Sequence, residues 1–199
     1  MAGKCRYFFK GFLFAFDIVY CYILHTAKGK QMKTFLKYLF IIFGIVLLDQ
    51  ITKSILLYLI TGTVPMAGNH WAVVGYPYLM SHVTDWFNIV FTWNPGASFS
   101  LLRNLGEVAP WVITVAISVI IILLLGYMLR RASVNERMPL AFIIGGALGN
   151  LIDRVRFDAV IDFLDLHIGG WHWPAFNVAD MFIVIGVGLY IINIVFHKK

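Results

Sequence analysis

Charge is scarce in this chain: Asp, Glu, Lys and Arg make up 13% of its 199 residues, about half the share found in soluble domains. Cysteine is scarcer still. Cys5 and Cys21 are the only two, and both precede the main apolar body, so that body has no disulfide framework and no cysteine nucleophile. Internal repeats, low-complexity tracts and a polar second domain are also missing. These absences leave room for one polytopic unit.

Apolar sequence fills the rest. Hydrophobic residues are 60% of the chain and the mean hydropathy is +0.82, which puts the protein in a membrane. Four runs, about Phe35 to Ile60, Pro110 to Met128, Pro139 to Ile152 and Asn177 to Phe196, approach or reach the roughly 20 residues that cross a hydrocarbon core. The third is short. A net charge of +6 could suggest nucleic acid, but the basic residues sit at the ends of apolar runs and are not interleaved with aromatics in a polar domain, so no nucleic-acid partner is expected. Lys28, Lys30, Lys33 and Lys37 flank the first run, Arg130, Arg131 and Arg137 fill the link between the second and third, and Lys198 and Lys199 follow the fourth. By the positive-inside rule these regions are cytoplasmic, and residues 61–109 and 153–176 face outward.

Residues 1–31 fit this scheme poorly. Their aromatic run is broken by Lys10 and Asp17 and no small-residue cleavage site follows it, so they read as an N-terminal extension, not a signal peptide. Met32, followed by "KTFLKYLFIIFG", is as good a start as Met1. The expected architecture is a membrane all-α core over 32–199 with a small extracytoplasmic β-sheet, since "VTDWFNIVFTW" in the first outer segment is β-branched and aromatic. That sheet is expected to lie on the membrane as part of a substrate cradle.

The acidic residues carry the chemical information. There are ten, and Asp153, Asp158, Asp162, Asp165 and Asp180 crowd into one short stretch. A carboxylate at membrane depth is costly and marks a functional candidate. In "GGALGNLIDRVRFDAVIDFLDLHIGGWHWPAFNVAD", Gly145 and Gly149 give a small-residue face for close helix packing, with Asn150, Asp153 and Arg154 at its outer end. "AVIDFLDLHI" reads as a strand, Gly169 and Gly170 as a turn and "WHWPAFN" as the return. At about 3.3 Å per residue this excursion brings Asp180 back to the level of Asp162. Two carboxylates at one level can share a proton, one acting as general base on water and the other as general acid.

Plainer readings stand beside this one. "NVAD" puts Asn177 at an N-cap and Asp180 three residues on, as in a capping box; such a helix end suits a carboxylate and would leave the proton on Asp162. Asp162 could be an outward strand charge, and Asp165 would lie on the opposite strand face. Asp153 reads as an ion pair with Arg154, and Asp85 and Asp158 as solvated loop charges. Asp49 and Lys53 in "LLDQITK" are spaced for an intrahelical pair, or for a polar anchor of the site. "NPGASFS" reads first as a turn and second as a loop whose Asn94 amide holds substrate backbone.

With these residues in order, the sequence from about Lys33 to Lys199 resembles the lipoprotein signal peptidases, the signal peptidase II family. "LLDQITK", "NPGASFS", "GGALGNLIDR", "AVIDFLDLH" and "WPAFNVADMFI" carry the resemblance. It implies four membrane helices with an extracytoplasmic cradle, and Asp162 and Asp180 as catalytic aspartates. Asp49, Asn94, Asn150, Arg154 and Asn177 would orient that pair and hold the substrate. It also implies removal of the signal peptide from a diacylglyceryl-modified prolipoprotein just before the lipidated cysteine, sensitivity to globomycin-type inhibitors, contact with membrane lipids, and no metal or other cofactor. A bacterial inner-membrane monomer is expected. Asp158 departs from the family, which often has Gly there, and so does Ser98, where a second Ala is common.

Rival chemistries fit less well. Neither "GxSG" nor "HExxH" occurs, and a Ser98–Lys53 dyad is a minor alternative. His167 and His172 could suggest a metal but read more naturally as interfacial residues. A transporter with Asp49, Asp153 and Asp180 as a proton relay would spread its carboxylates through the membrane depth. Here, Asp49 apart, they gather near one face.

Overall fold

A computed structural model of the chain describes residues 29–61, 80–96 and 108–197. The proposed extension lies outside the described residues except for its last three, which open the first helix. Eight elements follow: α1 (Gly29–Thr61), β1 (Met80–Thr84), β2 (Phe87–Asn94), α2 (Ala109–Arg130), α3 (Val134–Phe157), β3 (Val160–Ile168), β4 (Trp171–His172) and α4 (Val178–His197). All four helices are long and apolar enough to span a membrane. The strands form one antiparallel succession, β1-β2-β3-β4, at the end where α1 and α3 finish and α2 and α4 begin.

The third span differs from the sequence expectation. It covers Val134–Phe157, 24 residues, with Pro139 inside it. The helix opens five residues before the proline because the Glu136 carboxylate accepts the Ser133 backbone N–H at 2.6 Å, closing the first turn. Pro139 has no N–H for the Asn135 carbonyl one turn earlier. Asn193 of α4 supplies the missing donor, its Nδ2 lying 2.9 Å from Asn135 O. A long-range amide thus repairs the break that Pro139 makes.

Helix α3 is the hub, packing against α1, α2 and α4. Half of its apolar window is buried, against 22% or less for the other three. Lipid supplies no hydrophobic drive between helices, so close packing of small residues matters. A Cβ on Gly146 would collide with the Ala179 carbonyl of α4, and one on Gly149 would lie 2.6 Å from Asp49 Oδ2 of α1. At the far end Tyr38, Ile42, Ile121, Met128, Leu140 and Ile144 form one core. Beneath the sheet, Leu56, Leu57, Phe91, Phe157, Ile161 and Phe163 form another, which seats β2 and β3 on the ends of α1 and α3.

The strand-out, turn-and-return path is present. Gly169 turns at φ +59°, His167 pairs with His172, and beyond Pro174 a single bridge from Leu164 to Phe176 aims the chain at α4. Asp158 ends α3 in the left-handed region at φ 57°, which explains why glycine suits that position.

Two stability outcomes follow. Gly149→Ala lowers stability by about 1–3 kcal/mol through overpacking, read as a lower melting temperature in detergent. Asp158→Gly raises it by up to about 1 kcal/mol by removing the left-handed penalty.

Candidate active site

Asp162 is the third residue of β3 and pairs across the sheet with Thr92; Asp180 lies in the first turn of α4. Asn177 joins them. Its Nδ2 donates to Asp162 Oδ1 at 2.7 Å, its Oδ1 accepts the Asp180 N–H at 2.9 Å, and its own N–H donates to Asp180 Oδ2 at 3.2 Å. The capping box is therefore real, and the residue that caps α4 also grips Asp162. Asn150 completes the bridge from α3, donating from Nδ2 to Asp180 Oδ1 at 2.7 Å while its Oδ1 accepts Asn177 Nδ2 at 3.1 Å. Asn94, just before a tight turn, donates to Asp162 Oδ2 at 2.9 Å and accepts Gly96 N–H at 2.9 Å. Every oxygen of the two carboxylates thus receives one N–H.

A second polar layer lies behind this one. The Lys53 ammonium sits 2.8 Å from Asp49 Oδ2 and 2.7 Å from Asp153 Oδ2, and donates to Asn150 Oδ1 at 3.1 Å. Asp49 Oδ1 accepts the Ala179 N–H of α4 at 2.9 Å, and Asp153 Oδ2 accepts the Ile161 N–H of β3 at 3.3 Å. Gln50 donates to Asp153 Oδ1 at 2.8 Å and to the Gly149 carbonyl at 3.1 Å. Asp49, Lys53 and Asp153 are all at most 2% exposed.

The structure thus brings together Asp49, Asn94, Asn150, Asp162, Asn177 and Asp180. Arg154, half-buried, reaches the Asn150 carbonyl at 3.4 Å, and its charge attracts Asp180, Asp162 and Asp153. Asp153 differs from expectation: it pairs with Lys53, not with the adjacent Arg154. Residues one apart on a helix point in different directions, so the partner comes from α1. Gln50 is a further residue of the site, signalled in the sequence only by three polar residues, Asp49, Gln50 and Lys53, within five positions of an apolar span. Ser98 lies outside the described residues, and the Lys53 Nζ is engaged by Asp49, Asp153 and Asn150.

Asp165 faces away from the pair, as strand alternation requires. It accepts from Asn88 Nδ2 at 2.8 Å and meets His172 Nδ1 at 2.9 Å. His167 stacks on His172 with ring centroids 4.9 Å apart. Among the described residues no group of three or more His, Cys, Asp or Glu is arranged to hold a metal ion. Asp85 and Asp158 are exposed.

Hydrogen-bond partners separate the two buried strand carboxylates. Asp162 is 2% exposed, and loss of solvent pushes its carboxyl up to about 6, with the nearby Asp180 charge adding to the shift and Asn94 and Asn177 opposing it. Burial acts upward on Asp165 as well, but hydrogen bonds from Asn88 and His172 outweigh it and hold that carboxyl below its ordinary value. A buried carboxyl near neutrality beside a second carboxylate is the pairing that acid–base hydrolysis needs.

Four spanning helices around a buried, amide-clamped carboxylate pair define a polytopic membrane protein with an enzyme-like polar centre. The family profile described as "Signal peptidase (SPase) II" matches residues 41–196, and this chain belongs to that family of bacterial membrane proteases. Similar proteins include the lipoprotein signal peptidase of Janthinobacterium sp., 43% identical over 152 residues covering 74% of this chain and 81% of the relative. That of Paraburkholderia phymatum is 44% identical over 121 residues, covering 59% and 72%. A solved bacterial membrane enzyme structure at 1.9 Å resolution superposes with a TM-score of 0.60 at 29% identity, covering 82% of this chain and 94% of that one.

The raised Asp162 value sets a pH dependence of stability. The folded carboxyl titrates at about 6 and the free one at 3.8, so between those values the folded state binds more protons and stability falls as pH rises. Asp162→Asn removes this dependence. The melting temperature of Asp162→Asn relative to wild type therefore rises from pH ~4 to ~6 and levels above that, measured by thermal melting across the range; a pH-independent difference contradicts the assignment.

Proposed function

We propose that this protein is an aspartic endopeptidase that removes the signal peptide from diacylglyceryl-modified prolipoproteins, cutting just before the lipidated cysteine, with Asp162 and Asp180 as its catalytic pair. The observation that carries the reading is the amide bridge, in which Asn177 contacts both carboxylates and Asn150 contacts Asp180. Such a clamp holds two groups that repel when both ionised. In this reading the buried Asp162 serves as the acid and Asp180 as the base, so water between them loses a proton to Asp180 as its oxygen attacks the scissile carbonyl. Asp162 donates to that carbonyl oxygen. Collapse of the tetrahedral adduct returns the proton from the oxygen to Asp162 and passes the one on Asp180 to the leaving amide nitrogen, which restores both groups.

In this reading residues 32–199 form the peptidase domain, a monomer that needs no cofactor. Asp49, Asn94, Asn150, Arg154 and Asn177 hold the pair and the substrate. The basic residues Lys33, Lys37, Arg130, Arg131 and Arg137, all at the end away from the sheet, argue for that end in the cytoplasm. Both termini of the four-span body then face inward, and the site faces the extracytoplasmic leaflet, where a lipidated substrate and globomycin-type inhibitors enter from lipid.

Cleavage of a purified diacylated prolipoprotein tests the pair. Asp162→Asn and Asp180→Asn melt cooperatively yet lose about three or more orders of magnitude in kcat, whereas Asp153→Asn keeps at least about a tenth of it, because Lys53 still holds Asn150. Wild-type turnover in either variant of the pair removes the proposal.

A further inference from the structure

Lys53 has a role that goes beyond pairing charge, and it rests on the dyad reading above. An ammonium has three N–H donors. Here three acceptors surround it: Asp49 Oδ2, Asp153 Oδ2 and Asn150 Oδ1, at 2.8, 2.7 and 3.1 Å. The third contact is directional in a way that the first two are not. A carboxylate accepts at either oxygen, but a carboxamide accepts at one end and donates at the other, so fixing its oxygen fixes where its NH2 points.

The other donor to Asn150 Oδ1 is weaker as a guide. Asn177 Nδ2 is also within reach of the Ile161 carbonyl at 3.2 Å and Asp162 Oδ1 at 2.7 Å. It has two hydrogens for three acceptors, and the shortest contact is to Asp162. The Lys53 donor to Asn150 is undivided. With Asn150 turned over, its NH2 would face the ammonium and the Asn177 NH2, while its oxygen would face the Asp180 carboxylate. Both ends of that arrangement are repulsive.

We propose that Lys53 is a positioning residue for the cleavage reaction: by donating to Asn150 Oδ1 it holds the Asn150 NH2 on Asp180 and so keeps Asp180 in the orientation that attacks through water. Asp49 and Asp153 hold the ammonium in place. They also tie it to the elements that carry the pair, Asp49 through Ala179 N–H beside Asp180 and Asp153 through Ile161 N–H beside Asp162. Lys53 donates to neither aspartate of the pair: its charge acts on Asp162 from a distance, and its hydrogen bond reaches Asp180 through Asn150.

Two variants separate this role from structural support. Lys53→Met/Asp153→Asn has one buried carboxylate and no cation where the wild type has two carboxylates and one cation, so the net charge is the same. Lys53→Arg keeps the cation, but a planar guanidinium cannot reproduce a three-way ammonium contact. Both are expected to melt cooperatively in detergent and to lose on the order of 10²-fold in kcat on a diacylated prolipoprotein, as misplacement of a reacting group does. KM stays within about threefold, since the change falls mainly on the orientation of Asp180. In an Asn150→Ala background neither substitution lowers kcat further, because the residue through which Lys53 acts is already gone.

Wild-type kcat in Lys53→Arg overturns the proposal, and so does full additivity with Asn150→Ala. Loss of the melting transition in both variants makes Lys53 a structural residue and overturns it equally. Failure of the dyad reading is a separate outcome, read as wild-type turnover in Asp162→Asn or Asp180→Asn; loss of turnover in those variants with an additive Lys53 cycle overturns only the role of Lys53.

Discussion

A lysine ammonium buried between two carboxylates, inside helices that cross lipid, is the constraint on which the rest of this structure depends. Taking three charges out of water costs several kcal/mol per ion before their attraction is counted, and the bilayer offers no water to relieve a poor fit. Lys53, Asp49 and Asp153 meet that condition with every ammonium hydrogen engaged. Asp49 takes the Ala179 N–H of α4 on its other oxygen, and Asp153 takes the Ile161 N–H of β3 on the oxygen that meets the ammonium and Gln50 on the other. Apolar helices in lipid slide and rotate against one another at little cost. The polar cluster removes that freedom by tying α1 to α3, to the root of β3 and to the first turn of α4 at one depth.

The two aspartates inherit their geometry from this anchor. Gly149 and Ala179 are small where α3 and α4 approach Asp49, so the helices close on the cluster and bring Asn150 to Asp180. The sheet then sets Asp162, because the aromatic core of Phe91, Phe157 and Phe163 fixes where β3 leaves α3. Two carboxylates with different surroundings result: one on a strand, almost without solvent, the other half-buried in the first turn of a helix. Dissimilar environments for neighbouring acids are what divide the roles of acid and base.

Much of this could be read along the chain, and the failures share a cause. Spans, hairpin and carboxylate pair follow from local rules: run length, strand alternation, a Gly-Gly turn, and a rise per residue that returns Asp180 to Asp162. The third span was expected to start at Pro139, because proline and the polar residues before it resemble a loop; the Asn193 amide that permits the longer helix comes from 58 residues away. Sequence adjacency points Asp153 to Arg154, but its partner, Lys53, lies a hundred residues earlier. Asn88, Asp165 and His172 meet only because the sheet order brings β2, β3 and β4 side by side. Local periodicity places a polar residue on a face, and only the packing of distant elements decides which face it meets.

As proposed catalytic groups, Asp162 and Asp180 divide one proton between them. The pH dependence of kcat/KM for a diacylated prolipoprotein tests this most directly, because it reports the essential acid and base of the free enzyme. A shared proton gives a bell whose alkaline limb falls as the pair loses that proton, near the value of about 6 set by the burial of Asp162. A rate that climbs with pH to an alkaline plateau, as a serine or lysine nucleophile would give, contradicts it.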